Sequence, residues 1–172
     1  MTATNERPSQ ASGGPSGFAA NGLGIVAAIA VLLAALAGRA ATASNLSWYA
    51  SLAKPPFNPP DWVFGPAWSL LYLLMAFAAW RIGRLPASPA RRVALTLFFV
   101  QLALNAAWSW MFFAAHSPAL GLVNIVPQLA AVIATGIAFY RLDRIAGLAL
   151  APLAAWVSFA TLLNAAVWAL NG

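Results

Sequence analysis

The chain has 172 residues, of which 62% are hydrophobic and only 7% are charged, and its formal net charge is +6. Soluble domains usually carry about a quarter charged residues, so this composition excludes a soluble globular protein and indicates an integral membrane protein. The length suits one domain and leaves no room for a separate soluble one.

In chain order, the first predicted element is a disordered tail over residues 1–18, rich in Ser, Pro, Gly and Asn. The tail lacks the basic start of a signal peptide, so we expect the apolar run after it to be retained. Residues 19–172 are predicted to form one transmembrane ligand-binding domain. A hydrocarbon core of ~30 Å takes roughly 20 helical residues. Five such spans are predicted, giving an all-α membrane protein built as a bundle of five transmembrane helices, at about 21–42, 62–81, 92–115, 119–140 and 145–170.

The connections between these spans carry most of the charge. Seven arginines fall on the side of the N-terminal tail, whereas the opposite side has only Arg39 and Lys54. The positive-inside rule therefore predicts a cytoplasmic N-terminus and an external C-terminus. The same distribution explains the net positive charge by contact with the anionic headgroups of a lipid bilayer, and it does not favour nucleic-acid binding.

Residue types that perform chemistry are scarce in this sequence. There is no cysteine, the single histidine is His116, and the only acids are Glu6, Asp61 and Asp143, outside or at the rims of the spans. This scarcity argues against a proton-coupled pump, a metal site and a thiol nucleophile, and it predicts no catalytic residues and no obligatory cofactor. Two interpretations stay open for His116: an axial haem ligand or pH switch, or the more common case of a solvated interfacial residue.

The connection between the first two spans has an unusual composition. Four prolines between positions 55 and 60 exclude a helix from Lys54 to Asp61, so this segment is predicted to be an ordered loop at the membrane rim. Its apolar residues are costly to expose, and we expect the loop to fold back over the helix ends as a lid. Asp61 is predicted to cap the second span. Trp48, Tyr49 and Trp62 are equally typical of an aromatic belt at the interface.

Three spans combine a tryptophan with polar residues at helical spacing. These stripes are Trp68, Tyr72 and Met75 in the second span, Gln101, Asn105, Trp108, Ser109 and Phe112 in the third, and Trp156, Ala160, Asn164 and Trp168 in the fifth. Unpaired amides in hydrocarbon are costly, so these faces are predicted to point inward. They either join helices to one another or enclose a pocket for a flat, largely apolar ligand walled by indoles.

Three segments carry a resemblance to a known family. They are WYASLAKPPFNPPDWVFGPAWSLLY, LNAAWSWMFF, and WVSFATLLN with a terminal WALN, in this order along five spans. Together they resemble the translocator protein or tryptophan-rich sensory protein family, which includes the mitochondrial peripheral benzodiazepine receptor. The resemblance covers most of the chain, from about Trp48 to Asn171.

The resemblance implies a homodimeric five-helix bundle that binds porphyrins, and in some members sterols or benzodiazepine-type ligands, beneath the loop between the first two helices. It places the ligand-binding residues at Trp68, Trp156, Asn105, Ala160 and Tyr49. Tyr72 and Trp108 join this predicted site because they share the inward faces of the second and third spans. The C-terminus lacks the apolar, tyrosine, basic order proposed for cholesterol contact, and the Ala, Arg and Pro bias favours a bacterial cell envelope.

Three functions follow as hypotheses. The first is a membrane receptor or carrier for tetrapyrroles such as protoporphyrin IX or haem, with Trp68 and Trp156 stacked on the macrocycle and with Lys54 or Arg39 available to its propionates. The second is light-dependent porphyrin degradation that uses the same tryptophans as electron donors. The third is a helper of membrane assembly that has no small ligand.

Overall fold

The computed structural model of the protein describes residues 17–172, with side chains from residue 22 onward. The predicted disordered tail, residues 1–18, lies almost entirely outside the described residues. Seven α-helices follow one another in this part of the chain: α1 Gly17–Ala43, α2 Leu46–Ser51, α3 Asp61–Gly83, α4 Pro89–Ser109, α5 Pro118–Leu142, α6 Arg144–Ala149 and α7 Ala151–Asn171. A π-helical segment, Trp110–Ala114, continues α4.

The five predicted spans are confirmed. Long apolar helical stretches occur at Gly22–Ala43, Asp61–Gly83, Pro89–Ala114, Pro118–Leu142 and Arg144–Asn171. Residues 17–172 contain no strand, so the fold is an all-α membrane protein with five spans. Large apolar side chains on several of these helices are more than half exposed, as expected for surfaces in contact with lipid: Leu33, Leu73, Val123 and Leu162. The cytoplasmic position of the N-terminus stays a prediction.

The structure adds two local features to the predicted spans. The connection after α1 contains the short helix α2, and the fifth span is divided at Leu150 into α6 and α7. Pro152 lies in the first turn of α7, where its missing N–H breaks no intrahelical bond, so the division of the span falls just before this proline.

The predicted cap of the second span is wrong. Pro60 occupies the N-cap position of α3 and makes no side-chain cap hydrogen bond, while Asp61 is the first helical residue. The extended backbone that proline favours in its neighbourhood ends at Pro60, so the helix begins one residue earlier than a cap at Asp61 requires. The Asp61 carboxylate still lies in the first turn, where it complements the helix dipole.

The helices pack as a ring in which α1 lies against α3 and α4, α5 lies between α4 and α7, and α6 returns to α3. The half of the bundle nearest the N-terminal tail, which we call the tail half, is filled by fully buried side chains. Phe98 and Phe139 stack there with ring centroids 5.7 Å apart, and Met75 and Ile82 have no exposed surface.

An ion pair closes the tail half between α3 and the start of α6. The Nε and Nη2 atoms of Arg81 lie 2.8 and 2.7 Å from Oδ2 of Asp143. The other carboxylate oxygen accepts hydrogen bonds from the backbone N–H groups of Ile145 and Ala146, so Asp143 also caps α6. The hydrogen bond from Arg81 is the largest cause that lowers the pKa of Asp143. This carboxylate therefore remains charged and joins two spans.

Candidate functional site

The other half of the bundle, which we call the loop half, contains a cavity of about 520 Å³. It lies between α1, α3, α7 and the end of α4, and α2 contributes Leu46 and Tyr49 to its lining. Small-molecule sites commonly have volumes of about 300–1,000 Å³ and mostly apolar walls. The aromatic residues that line this cavity are Tyr49, Phe64, Trp68, Tyr72, Trp108, Phe112, Phe113 and Trp156.

Two indoles from different spans meet at the wall between α3 and α7. The rings of Trp68 and Trp156 are in an edge-to-face arrangement with centroids 6.5 Å apart and an interplanar angle of 79°. Trp68 also lies 5.5 Å from the ring of Tyr72, and Trp156 lies 5.9 Å from Phe64. Both tryptophans are half-buried, so each ring has neighbours on one side and cavity on the other.

The third lining indole, Trp108, is fixed by its polar edge. Its Nε1 donates to Oδ1 of Asn164 at 3.1 Å, and Nδ2 of Asn164 donates to the carbonyl of Pro118 at 2.7 Å. The Trp108 ring stacks on Phe112 at 5.1 Å and 22°. The amide therefore connects α7 to the start of α5 and satisfies the indole N–H, which leaves an apolar surface for the cavity.

Asn105 lies behind the cavity wall and does not line it. The Tyr72 hydroxyl donates to Oδ1 of Asn105 at 2.9 Å, and Asn105 is only 2% exposed. Its Nδ2 has no hydrogen-bond partner among the described residues. Helical spacing alone places Asn105 and Trp108 on one face, but the tyrosine ring from α3 separates the amide from the cavity. Asn105 therefore positions Tyr72 rather than facing the cavity.

The remaining predicted residue of the fifth span, Ala160, lines the cavity one turn from Trp156. Its methyl group leaves room between the indole and Asn164. Trp168, at the end of the same predicted stripe, is 46% exposed and lies outside the cavity lining, so its inward placement is wrong.

A π-helical segment shapes the wall at the end of α4. The N–H groups of Ala115 and Ser117 bind the carbonyls of Trp110 and Phe112, five residues earlier, at 2.9 and 3.1 Å. The wider turn rotates the helix so that the consecutive residues Phe112 and Phe113 are both buried. Helical periodicity in the sequence does not indicate this segment, although two adjacent phenylalanines near Trp108 are compatible with it.

The first helix contributes much of the cavity wall, which the sequence did not indicate. Its lining residues are Ala35, Leu36, Gly38, Arg39, Thr42 and Ala43. Small side chains in an alanine-rich helix do not stand out by composition. Of the two cations expected near the ligand, Arg39 lines the cavity and Lys54 does not.

The predicted lid, residues 54–61, is tied to α7 through the preceding residue Ala53 and to α2 through Asn58. Asn171, near the C-terminus of α7, holds Ala53 with two hydrogen bonds of 2.9 Å, one to its N–H and one to its carbonyl. The Tyr49 hydroxyl of α2 donates to Oδ1 of Asn58 in the loop at 2.9 Å, and the Lys54 ammonium lies 4.7 Å from the Tyr49 ring. These contacts hold the loop against α2 and α7, whereas Asp61 is the one residue of the stretch 50–61 that lines the cavity.

Tyr49 of α2, which contacts the loop, lines the cavity. It is buried and packs at 5.6 Å from the ring of Phe113. Burial raises the pKa of Tyr49 to about 12, and the negative charge of Asp61 adds to this effect. The phenol is therefore neutral at physiological pH.

The other candidates lie away from the cavity. His116 stacks on Trp48 at 4.7 Å, and its Nε2 lies 2.7 Å from Oδ1 of Asn45, so it fixes the start of α2 and does not line the cavity. Trp62 is 75% exposed, as expected for the interfacial belt. Among residues 17–172, no group of three His, Cys, Asp or Glu side chains is placed to hold a metal ion.

A model of the TspO/MBR family matches residues 25–169, which includes all the cavity-lining residues. The chain belongs to the TspO/MBR family. The predicted resemblance is therefore confirmed, and so is an integral multi-pass membrane protein. Membership supports a membrane receptor or transport role.

Similar members of the TspO/MBR family come from archaea, bacteria and mammals. The tryptophan-rich protein TspO of Archaeoglobus fulgidus is 44% identical over 156 residues, covering 88% of this chain and 99% of the relative. The tryptophan-rich sensory protein of Cereibacter sphaeroides is 39% identical over 142 residues, covering 81% and 88%. The translocator protein of Homo sapiens is 38% identical over 126 residues, covering 72% and 75%.

Proposed function

We propose that this TspO/MBR family member is a membrane receptor or carrier that binds tetrapyrroles, such as protoporphyrin IX or haem, in the cavity of the loop half. The observation that carries the proposal is the convergence of Trp68, Trp108 and Trp156, from three separate spans, on one cavity of about 520 Å³. A flat aromatic macrocycle is the class of ligand that such walls suit best, because indole faces and edges interact favourably with π-systems.

The polar groups of the cavity suit an amphipathic ligand. Arg39 lies among the lining residues and is exposed, so its guanidinium is available to a propionate at the cavity rim. Besides the indole N–H groups, the other polar side chains of the lining are Thr42, Tyr49, Asp61, Ser69, Tyr72, Ser109 and Asn164. A largely apolar wall with a few polar groups is the usual construction of a small-molecule site.

A porphyrin titration of the purified protein tests the proposal. Each lost aromatic contact removes ~0.5–1.5 kcal/mol beyond area burial, so Trp68→Ala and Trp156→Ala should each weaken protoporphyrin IX binding by about tenfold. The matched control is Trp62→Ala, because Trp62 is 75% exposed and outside the cavity. Binding is read from porphyrin absorbance, since the substitutions change the protein fluorescence itself. Wild-type affinity in both cavity variants would show that the porphyrin does not bind in this cavity.

A second candidate function is light-dependent porphyrin degradation. The ring centroid of Trp68 lies 5.5 Å from that of Tyr72 and 6.5 Å from that of Trp156. This close spacing favours electron donation to a light-excited macrocycle at this wall. Illumination of the protein with protoporphyrin IX should then bleach the porphyrin in wild type and much more slowly in Trp68→Phe and Trp156→Phe. Equal bleaching in all three proteins would reject this chemistry and leave the binding proposal standing.

We also propose that the protein forms a homodimer, as the family resemblance implies. Chemical crosslinking in a bilayer, followed by mass measurement, should give a species of twice the mass of the 172-residue chain. Sterols and benzodiazepine-type compounds are the competitors to test against protoporphyrin IX, because the resemblance names them as ligands of some members.

A further inference from the structure

A second concave surface lies on the outside of the bundle, at the end opposite the lid. It is a groove of about 330 Å³ between α5, α6 and the start of α7. The lining residues are Val132, Ile133, Gly136, Ile137, Tyr140, Arg141, Gly147, Leu150, Ala151 and Ala154. Ile133 and Ile137 are about half exposed, so the groove opens toward the surroundings of the bundle and not into its core.

Small residues create the groove. A Cβ atom placed on Gly136 would meet no other atom within 4 Å, so the floor of the groove is open at this residue. A Cβ atom on Gly147 would lie 2.4 Å from Cβ of Tyr140, so glycine is required there for α6 to pack directly on α5. The stretch of α5 from Val132 to Arg141 has a length of about 13 Å at ~1.5 Å per residue, which matches the upper part of an extended acyl chain.

Two arginines stand at the polar end of this groove. Arg141 is an exposed lining residue, and Arg144 donates from Nε and Nη2 to the Tyr140 hydroxyl at 3.2 and 3.1 Å. The acid nearest in the chain, Asp143, is already engaged by Arg81 and by the cap of α6. Within residues 17–172, no ion pair compensates Arg141 or Arg144.

We propose that this groove is a binding site for one anionic phospholipid of the surrounding bilayer. One acyl chain lies between α5 and α7 on the open surface of Gly136, and the phosphate lies against Arg141 and Arg144. Charge complementarity selects an anionic headgroup, because each cation near the membrane surface contributes attraction to anionic lipid. Tyr140 holds the Arg144 guanidinium at the mouth of the groove, which leaves its remaining N–H groups free for the phosphate.

Native mass spectrometry of the full chain, released from nanodiscs, tests this site. In nanodiscs of equal phosphatidylglycerol and phosphatidylcholine content, wild type should retain one phosphatidylglycerol per chain in large excess over phosphatidylcholine. Loss of ~1 kcal/mol per cation predicts about fivefold weaker retention in Arg141→Gln and about 25-fold weaker retention in the double variant with Arg144→Gln. The charge-matched control is Arg92→Gln, an exposed arginine at the start of α4.

A variant that fills the groove tests the apolar part separately. Gly136→Leu should reduce phosphatidylglycerol retention without lowering the melting temperature, whereas Gly22→Leu, at another open glycine on α1, should not. Free glycerol phosphate in excess should leave retention unchanged, because the acyl chain holds the lipid. Equal retention of both lipids, or unchanged retention in the double arginine variant, would overturn the proposal. Loss of a dimer in Gly136→Leu with lipid retention intact would also overturn it, because the groove would then be an interface between two copies of the chain. The site is distant from the tryptophan cavity, so porphyrin affinity should not change in these variants.

Discussion

The tail half and the loop half of this bundle use the same five spans in different ways. In the tail half, Phe98 and Phe139 stack in a fully buried core, and Arg81 and Asp143 join two spans at its surface. In the loop half, aromatic side chains that contact one another in pairs line a cavity of about 520 Å³, and Asn171 holds the adjacent loop at Ala53. The space between the spans is filled by side chains in one half and open in the other, which predicts that stability depends mainly on the tail half and ligand binding on the loop half.

The largest effect should come from the closed half. Phe98→Ala deletes a fully buried ring that packs against Phe139, and such deletions cost about 3–5 kcal/mol of unfolding free energy. Thermal unfolding in detergent should show a large loss of stability. Trp68→Ala, in the loop half, is the comparison variant and should cost much less because the ring is half-buried. Equal losses in the two variants would contradict the division into a packed scaffold and an open site.

The next effect concerns the ion pair that closes the tail half. Asp143→Ala removes the bond to Arg81 and the cap of α6, so we expect a loss of about 2 kcal/mol at neutral pH. The pKa of Asp143 is lowered in the folded protein. Its contribution is therefore fully present above the ordinary carboxyl pKa of about 4 and is lost as the pH falls through the lowered value.

A pH series of melting temperatures measures this dependence. Below about pH 4, wild type should lose stability toward that of Asp143→Ala, so the difference between the two proteins should shrink on acidification. A difference that stays constant down to the lowest pH at which both fold would show that the carboxylate charge does not stabilise the closed half.

A smaller effect is expected at the lid. Asn171→Ala removes both hydrogen bonds to Ala53, with a net cost of about 1 kcal/mol for this local contact. Hydrogen exchange of the Ala53 amide should become about fivefold faster, while amides in the tail half keep their protection. Unchanged exchange at Ala53 would mean that the loop is held by its apolar contacts alone.

The smallest effect at neutral pH should come from Tyr49→Phe, which removes one hydrogen bond to Asn58 and leaves the buried ring. Burial raises the pKa of Tyr49 from 10.0 to about 12, so its contribution is present below pH 10 and is lost as the pH rises through about 12. Wild type should therefore lose stability between about pH 10 and 12 more steeply than Tyr49→Phe. Parallel curves for the two proteins would rule out this assignment.

The sequence alone predicts the positions of the five spans and the indoles that line the cavity. Long apolar runs bounded by charged or proline-rich segments define helix positions directly, and a tryptophan two turns inside a span indicates an inward face. The short helix α2 depends instead on tertiary contacts, such as the contact of Asn45 with His116. Apolarity along the chain contains no information about these contacts.

Two residues of the predicted inward faces, Asn105 and Trp168, lie outside the cavity lining for geometric reasons. Steps of four residues advance a helix by 400°, so a stripe drifts by about 40° per step, and Trp168 lies about 120° from Trp156 on this basis. Asn105 is on the inward side, but a tyrosine from another helix stands between it and the cavity. Spacing along one helix identifies which residues share a face. Whether those residues reach the cavity depends on the side chains of the neighbouring helix.

Filling the cavity of the loop half shows whether a tetrapyrrole binds inside it. Ala160→Phe places a ring beside Trp156, and Ala155→Phe, at an exposed position on the same helix, is the matched control. We expect protoporphyrin IX affinity to fall at least about tenfold in Ala160→Phe and to stay at the wild-type value in Ala155→Phe. Wild-type affinity in a folded Ala160→Phe protein would show that protoporphyrin IX does not bind in this cavity.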